Sequence, residues 1–454
     1  MSGRLDVYSK EDHLMPILHH LFYWLGKLTG TIILLPHPIA IGNFGEEMYY
    51  GLLKARREKK KLVVLFPYEL PGLLRLGIPN REMTHLQSEY RAFLPSNPLY
   101  PVCCALITLY FGFFRGLHLI TNKYWGVQLS EYSRIPMLGQ ELLWKPRLVM
   151  HSFSWDIVRG YEWEKQTETK LEISLTKKKL AIAQRQRAEM GLPDDAWFVC
   201  LHVREGGYYN DYETVERNGS IHGYIPAIEE ITRRGGWVVR IGDSSMARLP
   251  AMPQVIDYPF TPQKSELMDL YLIQECRTYI GMQSGILDVA IMFQRPIVQT
   301  NMYSWFLGYP QKEHDIGILK HVYSKSDKRF LSPMEWPLTP WAQHAFYPRD
   351  NYVFYENGPE EIRAAVVEFL NRPDDWKPSE AQLAFNDLRW KVALGKLENP
   401  VGDARKIDDV HARYRLATRL STARGVLGDD FLIRYAVRQN EILSELRSEA
   451  SVIE

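Results

Sequence analysis

Phe198-Val-Cys-Leu-His-Val-Arg-Glu-Gly-Gly-Tyr-Tyr-Asn-Asp211 is an apolar, strand-like run that ends in a charged, glycine-containing turn. The same grammar recurs downstream. Tyr224–Arg234 has helical spacing, Trp237–Ile241 reads as a strand closed by Gly242-Asp243, and Ser265–Glu275 reads as a second helix. Tyr279-Ile-Gly-Met-Gln-Ser-Gly-Ile-Leu-Asp-Val-Ala290 supplies a strand, a turn at Gln283-Ser284-Gly285 and a third helix; Pro296-Ile-Val-Gln-Thr-Asn301 is a last strand. Strands alternating with helices predict a parallel sheet. Ligands bind beyond the carboxyl ends of the strands in such sheets, so 198–301 is expected to be a ligand-binding α/β domain.

Upstream, Thr31-Ile-Ile-Leu-Leu-Pro-His-Pro-Ile-Ala-Ile-Gly42 reads as a strand, Asn43–Glu47 as a turn, Met48–Glu58 as a helix and Lys61–Phe66 as a strand. This second β-α-β unit has Gly42 and Gly45 in its turn but lacks a third glycine, and no acid ends its second strand. A dinucleotide-binding dehydrogenase is therefore disfavoured. Residues 1–30 read as an amphipathic helical segment, with Leu14, Ile17, Leu18, Leu21, Phe22 and Leu25 on one face. Glu164–Arg187 reads as a charged helix stopped by Gly191-Leu-Pro, which places a domain boundary near 190. Past Asn301, Ile316–Lys328 reads as irregular, Leu331–Glu335 as a helix start, Tyr352–Tyr355 as a strand and Ile362–Leu370 as a helix. The expected organisation is a segment 1–30, domains 31–190 and 191–375, and a helical appendage 376–454.

Bulk composition narrows the function classes. Among 454 residues, 46% hydrophobic and 24% charged is the make-up of a soluble globular protein. Fifty-five basic against 54 acidic residues leave a net charge of +1, which makes no case for nucleic acid. Cys103, Cys104, Cys200 and Cys276 stand in no metal-binding spacing, and with no signal-peptide pattern in Met1–Lys10 the expected location is cytoplasmic. Leu99–Ile120 is long enough to span a bilayer but contains Pro101 and Arg115. A buried helix is the favoured reading, with peripheral membrane contact or a true span as alternatives.

His202 and Arg204 alternate with apolar neighbours and so share one side of their strand. Arg204 at the strand end could fork onto a phosphate, and His202 could bond a phosphate or sugar hydroxyl; a structural His–Arg network is the alternative. Gln283-Ser284-Gly285 before a helix offers amides and a positive dipole end to a diphosphate, or Ser284 is an ordinary N-cap. Arg217-Asn218 brings a second cation or is a solvated turn; Arg240, Gly242 and Asp243 end a strand where Asp243 binds a ribose or base or caps its turn. Asp211, Tyr224 and Asn301, at the neighbouring turns and strand end, complete the candidate donor set. In the first domain Glu46 and Glu47 are candidate general bases at a strand-to-helix turn, or acids that stabilise a helix dipole.

With these residues in view, the chain resembles the GT-B glycosyltransferases. More closely, it is similar to a group of bacterial glycosyltransferases found with surface-polysaccharide genes. They carry the equivalents of His202–Glu205, Arg217-Asn218, Val238–Asp243 and Leu331–Glu335. The His-Val-Arg run also resembles the phosphate-binding strand of fucosyltransferases that use GDP-fucose, and Gln283-Ser284-Gly285 the donor-phosphate turn of heptosyltransferases. Glu205 stands where many fucosyltransferases have a second basic residue. The resemblance implies two Rossmann-like domains facing a cleft and a nucleotide-sugar donor, a GDP-sugar being favoured. It further implies a glycan or lipid-linked acceptor, and transfer that needs no cofactor and no metal. A nucleotide-sugar epimerase or hydrolase, with His222, His314 or Asp315 as acid/base groups, and a non-catalytic sugar-nucleotide scaffold are the competing expectations.

Overall fold

The computed structural model describes residues 26–34, 41–65, 80–125, 171–205, 215–303, 310–339, 350–393 and 423–453. Its contacts divide the chain into two compact units, Met1–Ser174 and Leu175–Glu454. The division precedes the boundary near 190 expected from sequence. The physical reason is that the helix Lys177–Glu189 packs on the helix Glu266–Glu275 of the second unit.

In the first unit, β1 (Thr31–Leu34), β2 (Lys61–Val64) and β3 (Arg91–Ala92) form a parallel sheet in that order. Helix α1 (Ile41–Arg57) connects the first two strands and buries Phe44, Met48, Leu52 and Leu53. The helix begins earlier than the sequence spacing suggests, so Glu46 and Glu47 lie inside it and not in a turn. Helix α2 (Tyr100–Trp125) contains the apolar segment. It buries Cys104, Ile107 and Thr108, but Leu106, Leu109 and Phe113 are exposed. At these described side chains the helix departs from the buried reading, being covered on one side only. Among the described residues no helix is long and apolar enough to cross a membrane.

The second unit opens with α3 (Lys177–Glu189) and is built on seven parallel strands. These are β4 (Phe198–His202), β5 (Trp237–Arg240), β6 (Val255–Asp257), β7 (Thr278–Gly281), β8 (Ile297–Met302), β9 (Ile316–Leu319) and β13 (Val426–Leu427). Their order is β13-β9-β8-β7-β4-β5-β6. Every residue of β4, β7, β8 and β9 is buried, as expected of a parallel sheet covered on both faces. Helix α4 (Ile225–Arg233) packs on α7 (Pro359–Asn371), while α5 (Glu266–Glu275) packs on α6 (Gly285–Met292). The chain runs from β4 outward through β5 and β6, then returns to the other side of β4 and runs outward again through β7, β8 and β9. This reversal makes the gap between β4 and β7 the topological switch point, where such sheets take their ligands.

Three elements depart from the sequence reading. Ile316–Lys328, expected to be irregular, holds β9 and β10 (His321–Ser324); β10 pairs antiparallel with β11 (Arg329–Phe330) and β12 (Tyr352–Tyr355) in a small separate sheet. Lys320 and His321 break the apolar run that would have marked strands. Residues after 376 are not only a helical appendage. Besides α8 (Glu380–Ala393) and α9 (Asp429–Ile453) they supply β13, an edge strand of the main sheet. Gly425 admits this edge: a Cβ there would lie 2.4 Å from Pro310 Cβ. Leu331–Glu335 is a turn in which Ser332 N and Oγ donate to Glu335 Oε2, at 2.9 and 3.0 Å, before the buried Trp336.

Candidate functional site

The turns at the switch point are those after β4 and β7. His202 ends β4, and its register partner on β7 is Gly281. Arg204 comes next but one, buried, with its Nη1 donating to Asn218 Oδ1 at 2.5 Å. The Gly219 amide donates back to the Arg204 carbonyl at 2.9 Å, so the Arg217–Gly219 loop is fastened to the Arg204 segment. Arg217 reaches across to the turn after β7, its Nη2 3.5 Å from the Gln283 carbonyl. Arg204, Arg217, Asn218 and the Gln283-Ser284-Gly285 turn are thereby gathered at one place.

Ser284 is the N-cap residue of α6, with extended backbone, but its side chain does not cap the helix. Its hydroxyl lies 3.3 Å from His202 Nδ1 instead. The first-turn amides of α6 therefore receive no acceptor from their own N-cap side chain, which suits them to an outside anion. Asp288 in the same first turn works against an anion there, and the two arginines offset it.

Burial, with the guanidiniums of Arg240 and Arg204 nearby, pushes His202 down from the ordinary 6.5 to about 4, against an opposing pull from Asp243. The ring is neutral near pH 7 and Nδ1 can accept from the Ser284 hydroxyl. On unfolding the ring regains its ordinary affinity, so below pH 6.5 the unfolded chain takes up a proton that the folded one refuses. Stability attributable to His202 is level above this window. It falls by about 3 kcal/mol as pH drops through it toward 4. Urea unfolding of wild type and His202→Gln across this range is expected to show that difference. Parallel pH profiles for the two proteins would refute the assignment.

Several candidates are held in the fabric of the fold. Arg240 is fully buried, donates to Asp257 Oδ1 at 2.9 Å and lies 3.6 Å from Glu205 Oε1; Asp257 is its register partner on β6. The structure thus places Arg240 in an ion pair with Asp257 inside the sheet. Gly242 has φ +149 and a Cβ there would lie 2.2 Å from Met246 Sδ, so it serves the turn. Asp243 accepts from the Ser245 amide at 2.8 Å, a turn cap that also sits near His202. Tyr224 is buried with its hydroxyl 2.6 Å from Thr300 Oγ1, and Asn301 Nδ2 donates to it at 3.3 Å. Asn301, at φ +50, exchanges two 2.7 Å bonds with Asn357: each backbone amide donates to the other's Oδ1. Asn357 Nδ2 also donates to the Leu319 carbonyl at 2.7 Å. Tyr224 and Asn301 are thus tied up in a buried polar network. Gln283 Oε1 accepts from the Tyr303 amide at 3.1 Å.

Glu46 and Glu47 are 2% and 0% exposed within the first unit. They lie within α1 and not in the strand-to-helix turn where the sequence reading put them. Asp211 lies outside the described residues. Asp315 accepts from the amides of Ile297, Gln311 and Lys312 at 2.9–3.1 Å and is buried, while His222 and His314 are exposed. Sequence reasoning missed Lys320, whose Nζ donates to the Asn218 carbonyl at 2.7 Å. A lysine inside the apolar run Ile316-Gly-Ile-Leu-Lys-His-Val was its signal.

No protein-family model matches the chain, and neither does any curated protein. Among solved structures it is similar to a glycosyl transferase family 9 protein from Veillonella parvula, at 12% identity and TM-score 0.35, over 64% of this chain and 86% of that one. It is also similar to the ADP-heptose LPS heptosyltransferase II of E. coli, at 14% identity and TM-score 0.34, over 62% and 86%. A third similar structure is the UDP-GlcNAc 2-epimerase of Methanocaldococcus jannaschii in complex with UDP-GlcNAc and UDP, at 11% identity and TM-score 0.28, over 84% and 97%. These are distant likenesses of chain path, and a functional reading must rest on the residues gathered at the switch point.

Proposed function

We propose that the chain is a metal-independent glycosyltransferase of the GT-B type, moving a sugar from a nucleotide-sugar donor to a glycan or lipid-linked acceptor of a surface polysaccharide. The observation that carries this reading is Arg204, fastened by Asn218 at the switch point beside Arg217 and the uncapped Ser284 turn. Fixed cations and helix-start amides suit a diphosphate better than any neutral ligand. In the reaction, the bond between the anomeric carbon and the diphosphate oxygen breaks and its electron pair stays on that oxygen. The acceptor hydroxyl oxygen bonds the anomeric carbon and its proton passes to solvent water. Negative charge grows on the leaving diphosphate, where Arg204, Arg217 and the α6 amides stabilise it without reorganising.

A melting panel with ADP, CDP, GDP, TDP and UDP tests the reading, with GDP favoured. A diphosphate at about 100 times its dissociation constant adds about 2.7 kcal/mol, a shift of about 3 °C in a chain of this size. Release of that diphosphate from its sugar nucleotide only when acceptor is present separates transfer from binding alone. A folded wild type that no nucleoside diphosphate stabilises would overturn the proposal.

A further inference from the structure

Lys320 follows directly on β9, at the same carboxyl edge of the sheet as Arg204 and Ser284. Its amide donates to the Met302 carbonyl at 2.8 Å, which fixes its backbone to the end of β8. The side chain is buried, with the residue 4% exposed, and its ammonium donates to the Asn218 carbonyl at 2.7 Å. Asn218 is then held at both ends: its carbonyl by Lys320 and its side-chain oxygen by Arg204. A buried ammonium is costly, and a loop carbonyl alone could be held by a neutral donor. Glu216 and Glu356 balance part of that charge, and its hydrogen bond holds the residue on which Arg204 rests.

We propose that Lys320 is a positioning residue of the diphosphate site, setting Asn218 and through it the guanidinium of Arg204. The inference rests on the donor reading above and names the device that holds its principal cation in place. Glu216, on the turn preceding Asn218, and Glu356, after β12, are the acids that act on Lys320. Burial outweighs them and brings the ammonium down from the ordinary 10.5 to about 8. The clamp therefore weakens as pH rises through that value, since a neutral amine is the poorer donor.

Calorimetric titration with ADP, GDP, UDP and inorganic pyrophosphate tests this on wild type, Lys320→Met, Lys320→Arg, Arg204→Ala and the Lys320→Met/Arg204→Ala double variant. Lys320→Met is expected to weaken binding about 10-fold and Arg204→Ala about 100-fold. The double variant should bind no more weakly than Arg204→Ala alone, because the lysine acts through the arginine. Wild-type affinity should fall about 5-fold between pH 7 and 9, whereas Lys320→Arg stays level because its charge persists. Equal binding by wild type and Lys320→Met overturns the positioning role and leaves the donor reading standing. Additive losses also overturn it, by making Lys320 a direct ligand. Failure of wild type to bind any of these probes sinks both. If Lys320→Met does not fold, Lys320→Gln takes its place, and binding by folded Lys320→Gln equal to wild type overturns the proposal.

Discussion

Arg204→Ala is expected to fold and to gain nothing from the nucleoside diphosphate that stabilises wild type. Part of its cost in the free protein is the bond to Asn218 Oδ1, about 1 kcal/mol of net stability. Its removal also withdraws a positive charge from the neighbourhood of His202, a charge that helps to depress that ring. A second cost appears only with the anion. A guanidinium aimed at a diphosphate makes charge-assisted bonds that strengthen as the leaving group gains charge, so turnover should drop about 10²–10³-fold. Arg204→Lys should fall between the two, keeping the charge but losing the fork. Equal diphosphate stabilisation of Arg204→Ala and wild type would remove Arg204 from the site.

Asn357→Ala should lower stability by about 4 kcal/mol, because it strands two buried backbone groups at once, each worth about 1–3 kcal/mol. The Asn301 amide loses its acceptor and the Leu319 carbonyl loses its donor, in surroundings where water does not replace them. Asn301 adds to the loss, since its left-handed φ of +50 is held by this exchange of bonds. Asn357→Asp should do no better: it keeps the acceptor for Asn301 but turns an anionic oxygen toward the Leu319 carbonyl. Urea unfolding measures the change directly. A loss under about 1 kcal/mol would mean that the network does not hold β8 to the start of α7.

Much of the second unit is legible in the sequence because its strands are apolar runs that end in glycine or polar turns. The segments that form β4, β5, β7 and β8 can be marked out this way. β6 is three residues long, β9 and β10 are interrupted by Lys320-His321, and β13 is two residues whose partner lies far upstream. Local pattern does not contain such pairings. The same limit governs the site. That Arg204, Arg217, Asn218 and Ser284 meet follows from the strand order, with β4 beside β7. That Arg240 pairs with Asp257 and Asn301 with Asn357 depends on register and on a connection across the sheet edge. A charged residue at a strand end is conspicuous in sequence whether it awaits a ligand or already has its partner. Only the fold separates the two.

The last strand to join the main sheet has a bearing on how the chain is made. β9 is synthesised well before β13, its partner from Val426 to Leu427. Until residue 427 leaves the ribosome, the outer edge of β9 offers its unpaired amides and carbonyls to any extended chain nearby. A nascent or prematurely stopped chain therefore carries an adhesive border that the finished protein has sealed. Chains ending before Gly425 should be recovered as aggregates even though every strand around the switch point is present, and co-expressed chaperones should rescue them only in part.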